Sequence, residues 1–116
     1  INPQMPRVHG DGFIHLRDLS SWIEVDEPLP EPQPPLISEE AKKIGSQVAS
    51  LIEDGSTLQV GIGSIPNSVL NELIHHRFLG IHTEMWSDGV LDLIERGVVD
   101  NSRKKVHRYK TVSGFM

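Results

Sequence analysis

The chain has 116 residues and a mass of 13.0 kDa, room for one ordinary domain or for parts of two. Its 16 acidic and 11 basic residues leave a formal charge of −5, which argues against a general binder of phosphate backbones. With no cysteine, a disulfide framework and a thiolate metal site are both excluded, a composition that fits a reducing compartment.

The opening INPQMPRVHG has neither the charged start nor the apolar core of a signal peptide, and no apolar run approaches the ~20 residues that span a bilayer. It lacks an initiator methionine, and the closing TVSGFM has the pattern of a strand interior. The expectation is a segment of a longer chain. Residues 1–12, broken by proline and glycine, read as loop. FIHL at 13–16 and SWIEV at 21–25 are short strand candidates, the second with Trp22 and Glu24 alternating with Ile23 and Val25. Five of the eight prolines then crowd into Pro28–Pro35. DEPLPEPQPP, acidic and proline-rich, predicts an extended linker and a domain boundary over 26–36.

Beyond residue 36 the periodicity becomes helical. Ser38 is placed to cap a helix with Glu39 and Glu40 in its first turn and with Ala41, Ile44, Val48, Leu51 and Ile52 along one side. Gly55 is its expected stop. STLQVG reads as a strand. Pro66 suits the first turn of a second helix that buries Val69, Leu70, Leu73 and Ile74. LGIHT is a second strand, and a third helix starts near Ser87 or Asp88, carries Val90, Leu91 and Ile94, and ends at Gly97. KTVSGF begins another strand, and the basic stretch Arg103–Lys110 before it reads as a solvated loop. This alternation predicts an α/β unit with an open, mainly parallel sheet and flanking helices. No internal repeat is visible.

In such sheets ligands bind beyond the carboxyl ends of the strands, where Gly61–Pro66 and Glu84–Asp88 fall. GIGSIP departs from the dinucleotide pattern G-x-G-x-x-G at its sixth position, which is Pro66. Gly61 and Gly63 allow close backbone approach to a ligand, with the following helix start offering amides to an anion. A plain strand-to-helix turn explains the same glycines. Strand alternation sets His82 and Glu84 on one side and Ile81 and Thr83 on the other. His82 and Glu84 are two metal-ligand types without an evident third, so no metal site is expected. His75 and His76 read as surface residues, His9 and His15 as loop histidines, and Trp22 and Trp86 as packing residues.

NPQMPRVHGDGFIH, EVDEPLPE, GIGSIPNSVLNEL and LGIHTEMWSDGVLDLIERGVV, in this order and spacing, closely resemble the acetyl-CoA hydrolase/transferase family across essentially the whole chain. The resemblance implies a CoA-transferase-like α/β fold. Residues 1–25 would be the tail of a first domain, 26–36 the linker, and 37–116 the opening of a second domain. It implies that Glu84, in the family's H-[ST]-E-M segment, is the nucleophile. Gly61, Ile62, Gly63, Ser64 and Ile65 would border coenzyme A. The implied reaction is ping-pong transfer of CoA between an acyl-CoA and a small carboxylic acid of the acetate, butyrate or 4-hydroxybutyrate type, through a glutamyl-CoA thioester. Coenzyme A is then a co-substrate, with no prosthetic group, metal, nucleic acid or membrane partner. The remainder of the same protein would close the site, a homo-oligomer stays open, and the expected location is cytoplasmic. A hydrolase using the same site and a non-catalytic CoA-binding segment are the alternatives, and the isolated segment is expected to be inactive. Tyr109 stands where the family pattern has glycine.

Overall fold

The computed structural model describes residues 1–31, 33 and 35–114. It divides into two compact units, Ile1–Gln33 and Pro34–Met116.

In the first unit the two expected strands do not form. Leu16–Asp18 is instead a 3-10 turn, capped by the His15 ring, whose Nδ1 accepts from the Arg17 amide at 3.2 Å. Residues 21–25 make no ladder. The Val25 amide donates to the Ile1 carbonyl at 2.9 Å, and the Ile1 amino group donates to the Ile23 carbonyl. Alternation says which side chains share a face, but a strand also needs a continuous partner edge. Trp22 is exposed rather than packed. Residues 26–31, 33 and 35 of the expected linker carry no helix or strand, while Pro32 and Pro34 lie outside the described residues. Side chains tie the start of this stretch to the first unit, with Asn2 Nδ2 donating to the Glu27 carbonyl at 2.8 Å and Gln4 Nε2 to Asp26 Oδ1 at 2.7 Å.

In the second unit, Ser38 caps helix α1 (Glu39–Ala49) by accepting from the Ala41 amide at 3.2 Å. Glu39 and Glu40 sit at its positive end. Hydrogen bonds from the Glu40 amide and from Ser38 hold the Glu40 carboxyl below its ordinary value. The face of α1 that packs is not the one with the largest apolar residues. Ala41, Gly45 and Ala49 are buried, whereas Ile44 and Val48 are about two-fifths exposed at 40% and 38%. A methyl group on Gly45 would fall 2.8 Å from the backbone carbon of Ser68, so the two helix backbones approach closely and only small residues fit between them. α1 also stops at Ala49, leaving Leu51 exposed beyond its end.

Strand β1 (Thr57–Leu58) pairs in parallel with β2 (Gly80–Ile81) in the register Thr57 to Gly80 and Leu58 to Ile81. The far side of β2 carries two more parallel bridges, Leu79 to Val99 and His82 to Val112. Val99 thus takes a sheet position that the sequence reading left unassigned, and the Val98 carbonyl accepts from the Leu79 amide at 2.9 Å. KTVSGF meets the sheet only through the Val112 bridge, with Phe115 outside the described residues. Helix α2 (Ser64–Glu72) and a 3-10 turn at Leu73–His75 follow β1, and α3 (Asp88–Glu95) follows β2. Leu70, Leu73, Leu79, Ile81, Val90 and Leu93 are the largest fully buried side chains, joining both helices to the sheet. Ile74, expected inside, is 39% exposed, and Leu91 of α3 is 46% exposed. In α3 the buried residues are Val90 and Leu93. The architecture is a small open parallel sheet with flanking helices, α/β as expected. Among the described residues, no helix is long and apolar enough to cross a membrane.

Candidate active site

Because β1 and β2 are adjacent and parallel, the chain leaves both at the same end of the sheet. Residues 59–63 lead from β1 into α2, and residues 82–87 lead from β2 into α3. The sequence elements singled out at Gly61–Ile65 and Glu84 therefore emerge side by side.

A buried threonine joins these two loops. Thr83 is 6% exposed; its hydroxyl accepts from the Val60 amide at 3.0 Å and donates toward the Val60 carbonyl at 2.8 Å, with the Met85 carbonyl a further acceptor at 3.1 Å. One side chain thus ties the residue before Gly61 to the residue before Glu84. Alternation predicted that Thr83 faces away from Glu84, and its burial agrees. Its clamping role was not read from the sequence, although a threonine pointing inward between His82 and Glu84 was the available signal.

Gly63 is the N-cap of α2 at φ 115°, a region that side-chain-bearing residues rarely adopt. No side chain caps this helix. Gly61, Ile62 and Gly63 donate no backbone hydrogen bond among the described residues, and the amides of Ser64 and Ile65 lie in the first turn, where no acceptor within the helix exists. Pro66, in the same turn, has no amide to leave unpaired. Ile62 and Ile65 are 58% and 44% exposed, so this face of the loop is apolar and open. The Ser87 hydroxyl at the start of α3 donates to Asn67 Oδ1 at 2.8 Å, a second tie between the two strand-to-helix connections.

Glu84 has an exposed side chain whose carboxylate enters none of the hydrogen bonds or ion pairs among the described residues. Its main chain is held: the Glu84 carbonyl accepts from the Gly114 amide at 2.8 Å and the Ser113 hydroxyl at 3.1 Å. His82, exposed on the same strand side, stacks edge-on against His107 with ring centres 5.9 Å apart. No group of three His, Cys, Asp or Glu is placed to hold a metal among the described residues.

Other candidates fall elsewhere. His9 and His15 belong to the first unit. His75 and His76 lie at the α2 exit, and His76 is half-buried with its Nε2 3.0 Å from the Ile52 carbonyl, so it is no simple surface residue. Trp86 packs on the core. The basic stretch is only partly solvated. Lys104 is 4% exposed, and burial pushes its ammonium below the ordinary lysine range. Tyr109 adopts φ 63°, a backbone region that glycine occupies more readily than a residue with a side chain.

No family model matches the chain. The 4-hydroxybutyrate coenzyme A transferase of Clostridium kluyveri is 49% identical over 116 residues, 100% of this chain and 27% of its own length. The succinyl-CoA:cyclohexane-1-carboxylate CoA transferase of Geobacter metallireducens is 50% identical over 115 residues, 99% of this chain and 26% of its own. Among solved structures, 4-hydroxybutyrate CoA-transferase from Porphyromonas gingivalis matches 99% of this chain with 30% of its own, at a TM-score of 0.86 and 46% identity. RipA from Yersinia pestis matches 99% with 27% of its own, at a TM-score of 0.87 and 39% identity. The chain spans about a quarter of the length of the curated relatives it matches. From end to end, the chain is homologous to one segment of the CoA-transferases and shares that segment's fold.

Proposed function

We propose that this chain carries the nucleophile and the CoA-facing loop of a CoA-transferase that moves coenzyme A between an acyl-CoA and a small carboxylic acid. The observation that carries the reading is the Thr83 clamp, which ties Glu84 and the Gly61–Ile65 loop together at the carboxyl ends of adjacent parallel strands. A carboxylate is the fitting nucleophile because the acceptor is itself a carboxylate, and as an anion it needs no general base.

In the proposed sequence a Glu84 carboxylate oxygen bonds to the acyl carbon of the thioester, and the C–S bond breaks with its electron pair on sulfur. The thiolate then bonds to the glutamyl carbonyl carbon of the mixed anhydride as that carbon's bond to the bridging oxygen breaks, releasing the first acid as a carboxylate. A second carboxylate reverses these steps and leaves as the new acyl-CoA. The unpaired amides of residues 61–65 face the developing oxyanion, a contribution typically worth roughly 3 kcal/mol per donor. The apolar flank of Ile62 and Ile65 lies against acyl-CoA and helps exclude water, whose attack on either intermediate gives hydrolysis.

On this reading residues 1–25 end a first domain, 26–36 link, and 37–116 open a second. The rest of the protein closes the site, the isolated chain is inactive, and the enzyme works in the cytoplasm. The test uses the whole enzyme, incubated with acyl-CoA and no acceptor acid. CoA is expected on Glu84 as a thioester, found by mass spectrometry of the peptide containing that residue and absent in Glu84→Gln. Turnover without added acetate would identify a hydrolase on the same site. Wild-type turnover in folded Glu84→Gln, with no adduct in either protein, would refute the assignment.

A further inference from the structure

Among the described residues, Asn101 and Lys104, at 6% and 4% exposure, are buried polar side chains that the proposed chemistry does not use. Both belong to the loop that leaves the sheet after Val99 and rejoins it at Val112. Between those bridges side chains add to the pairing of β2, whose Ile81 carbonyl also accepts from the Val112 amide at 3.2 Å. Asn101 Oδ1 accepts from the Ile81 amide at 2.9 Å, and Asn101 Nδ2 donates to Thr111 Oγ1 at 3.0 Å. Lys104 Nζ donates to the Ile81 carbonyl at 2.7 Å and to the Lys110 carbonyl at 2.6 Å. None of the ion pairs among the described residues includes Lys104, so the ammonium rests on neutral acceptors. Gly80 makes room for it: a methyl group there would lie 2.5 Å from Lys104 Cγ and 2.9 Å from Cδ.

A buried charge with neutral partners is a costly way to fill space, and an apolar chain of equal length would be the cheaper filler. What the ammonium adds is a fixed distance between two carbonyls. One lies in β2, and the other opens the segment whose Val112 carbonyl accepts from the Thr83 amide at 3.0 Å and whose Ser113 and Gly114 hold the Glu84 carbonyl. We propose that Lys104 is a positioning residue: by drawing the carbonyls of Ile81 and Lys110 together, it docks residues 110–114 beside β2 and so sets the Glu84 main chain against the glycine loop. The inference rests on Glu84 being the nucleophile.

The test again uses the whole enzyme. Lys104→Met keeps the reach of the stem and deletes the donors. Turnover is expected to fall ~10- to 100-fold, because an error on the order of 1 Å at a reacting group can cost ~100-fold. KM for acyl-CoA should stay within about twofold and the melting temperature within a few degrees, since losing the buried charge offsets losing its hydrogen bonds. Gly80→Ala, which keeps the ammonium but displaces its stem, should give the same split and decides the matter if Lys104→Met does not fold. Glu84→Gln is run in parallel. Wild-type kcat in either folded variant, beside an inactive Glu84→Gln, overturns the positioning role. So does a loss of melting temperature with kcat and KM changed together, the mark of a general folding role. Wild-type turnover in Glu84→Gln would instead remove the reading on which the inference stands.

Discussion

Replacing Gly45 by alanine sets two effects of known sign against each other. Alanine is the better helix former by about 1 kcal/mol, so at an exposed position the change would stabilise α1. At Gly45 the new methyl would meet Ser68 of α2, with its backbone carbon and Cβ at 2.8 Å and its carbonyl oxygen at 2.9 Å. These distances fall roughly 0.7 Å short of the optimum for carbon contacts. Two of the three atoms are main chain inside a helix and have no rotamer to turn into. Overpacking of this kind costs about 1–3 kcal/mol, and the rigid partner argues for the upper half of that range. The net expectation is a loss of about 1–2 kcal/mol, read as a lower midpoint in guanidinium unfolding followed by helix circular dichroism. Ser46→Ala, on the exposed side of the same helix, is the control and should be neutral or slightly stabilising. If Gly45→Ala proves as stable as the parent, the close α1–α2 approach is wrong.

Thr83→Val keeps the shape of the buried side chain and removes both hydrogen bonds to Val60; a stability loss of about 2 kcal/mol is expected in the same unfolding assay. Turnover of the whole enzyme should fall with it, and wild-type values for both would disprove the clamp. Tyr109→Gly should stabilise by about 1 kcal/mol or less, because relief of the φ 63° backbone outweighs the flexibility gained by the unfolded chain and the ring, at 70% exposure, packs little. Calorimetry showing a loss would mean that the ring's contact with Arg108 matters more. The depressed Lys104 titration gives a signed pH dependence. Between its folded value and the ordinary 10.5 the unfolded chain holds the extra proton, so this group's contribution to stability rises with pH across that window. Lys104→Met should flatten that rise in urea midpoints measured from neutral to alkaline pH.

What could be read from the sequence was whatever local chemistry decides. Ser38 caps α1, Ser87 opens α3, and Gly63 ends the loop into α2, because capping and positive φ are properties of a few adjacent residues. Partner-dependent features were misread. Periodicity favoured Ala41, Ile44 and Val48 as one face of α1; Ala41 is buried, but Gly45 and Ala49 rather than Ile44 and Val48 join it, since the interface with Ser68 selects for small size. The strand candidate at 21–25 had the right alternation, yet among the described residues neither it nor 13–16 finds an edge to pair with. Lys104 looked like part of a solvated basic run, and nothing local announces that Gly80, 24 positions earlier, leaves a trough for its stem. The resemblance drew attention to Glu84 and the glycine loop as ligand-facing. The threonine that couples them became visible only with the fold.

That coupling bears on where movement can occur during turnover. Thr83 and the Ser87–Asn67 contact hydrogen-bond the two strand-to-helix connections to each other, so displacing one backbone breaks contacts with the other. In the proposed reaction the sulfur must pass from the acyl carbon to the glutamyl carbon without leaving the site. With the backbone on both sides tied by these hydrogen bonds, the least costly travel is through the three side-chain torsions of Glu84, which step between staggered wells on a picosecond-to-nanosecond scale when exposed. The scaffold therefore acts as an anvil rather than a hinge: slow steps in such an enzyme would belong to the arrival and departure of CoA, not to rearrangement of the segment that holds its nucleophile.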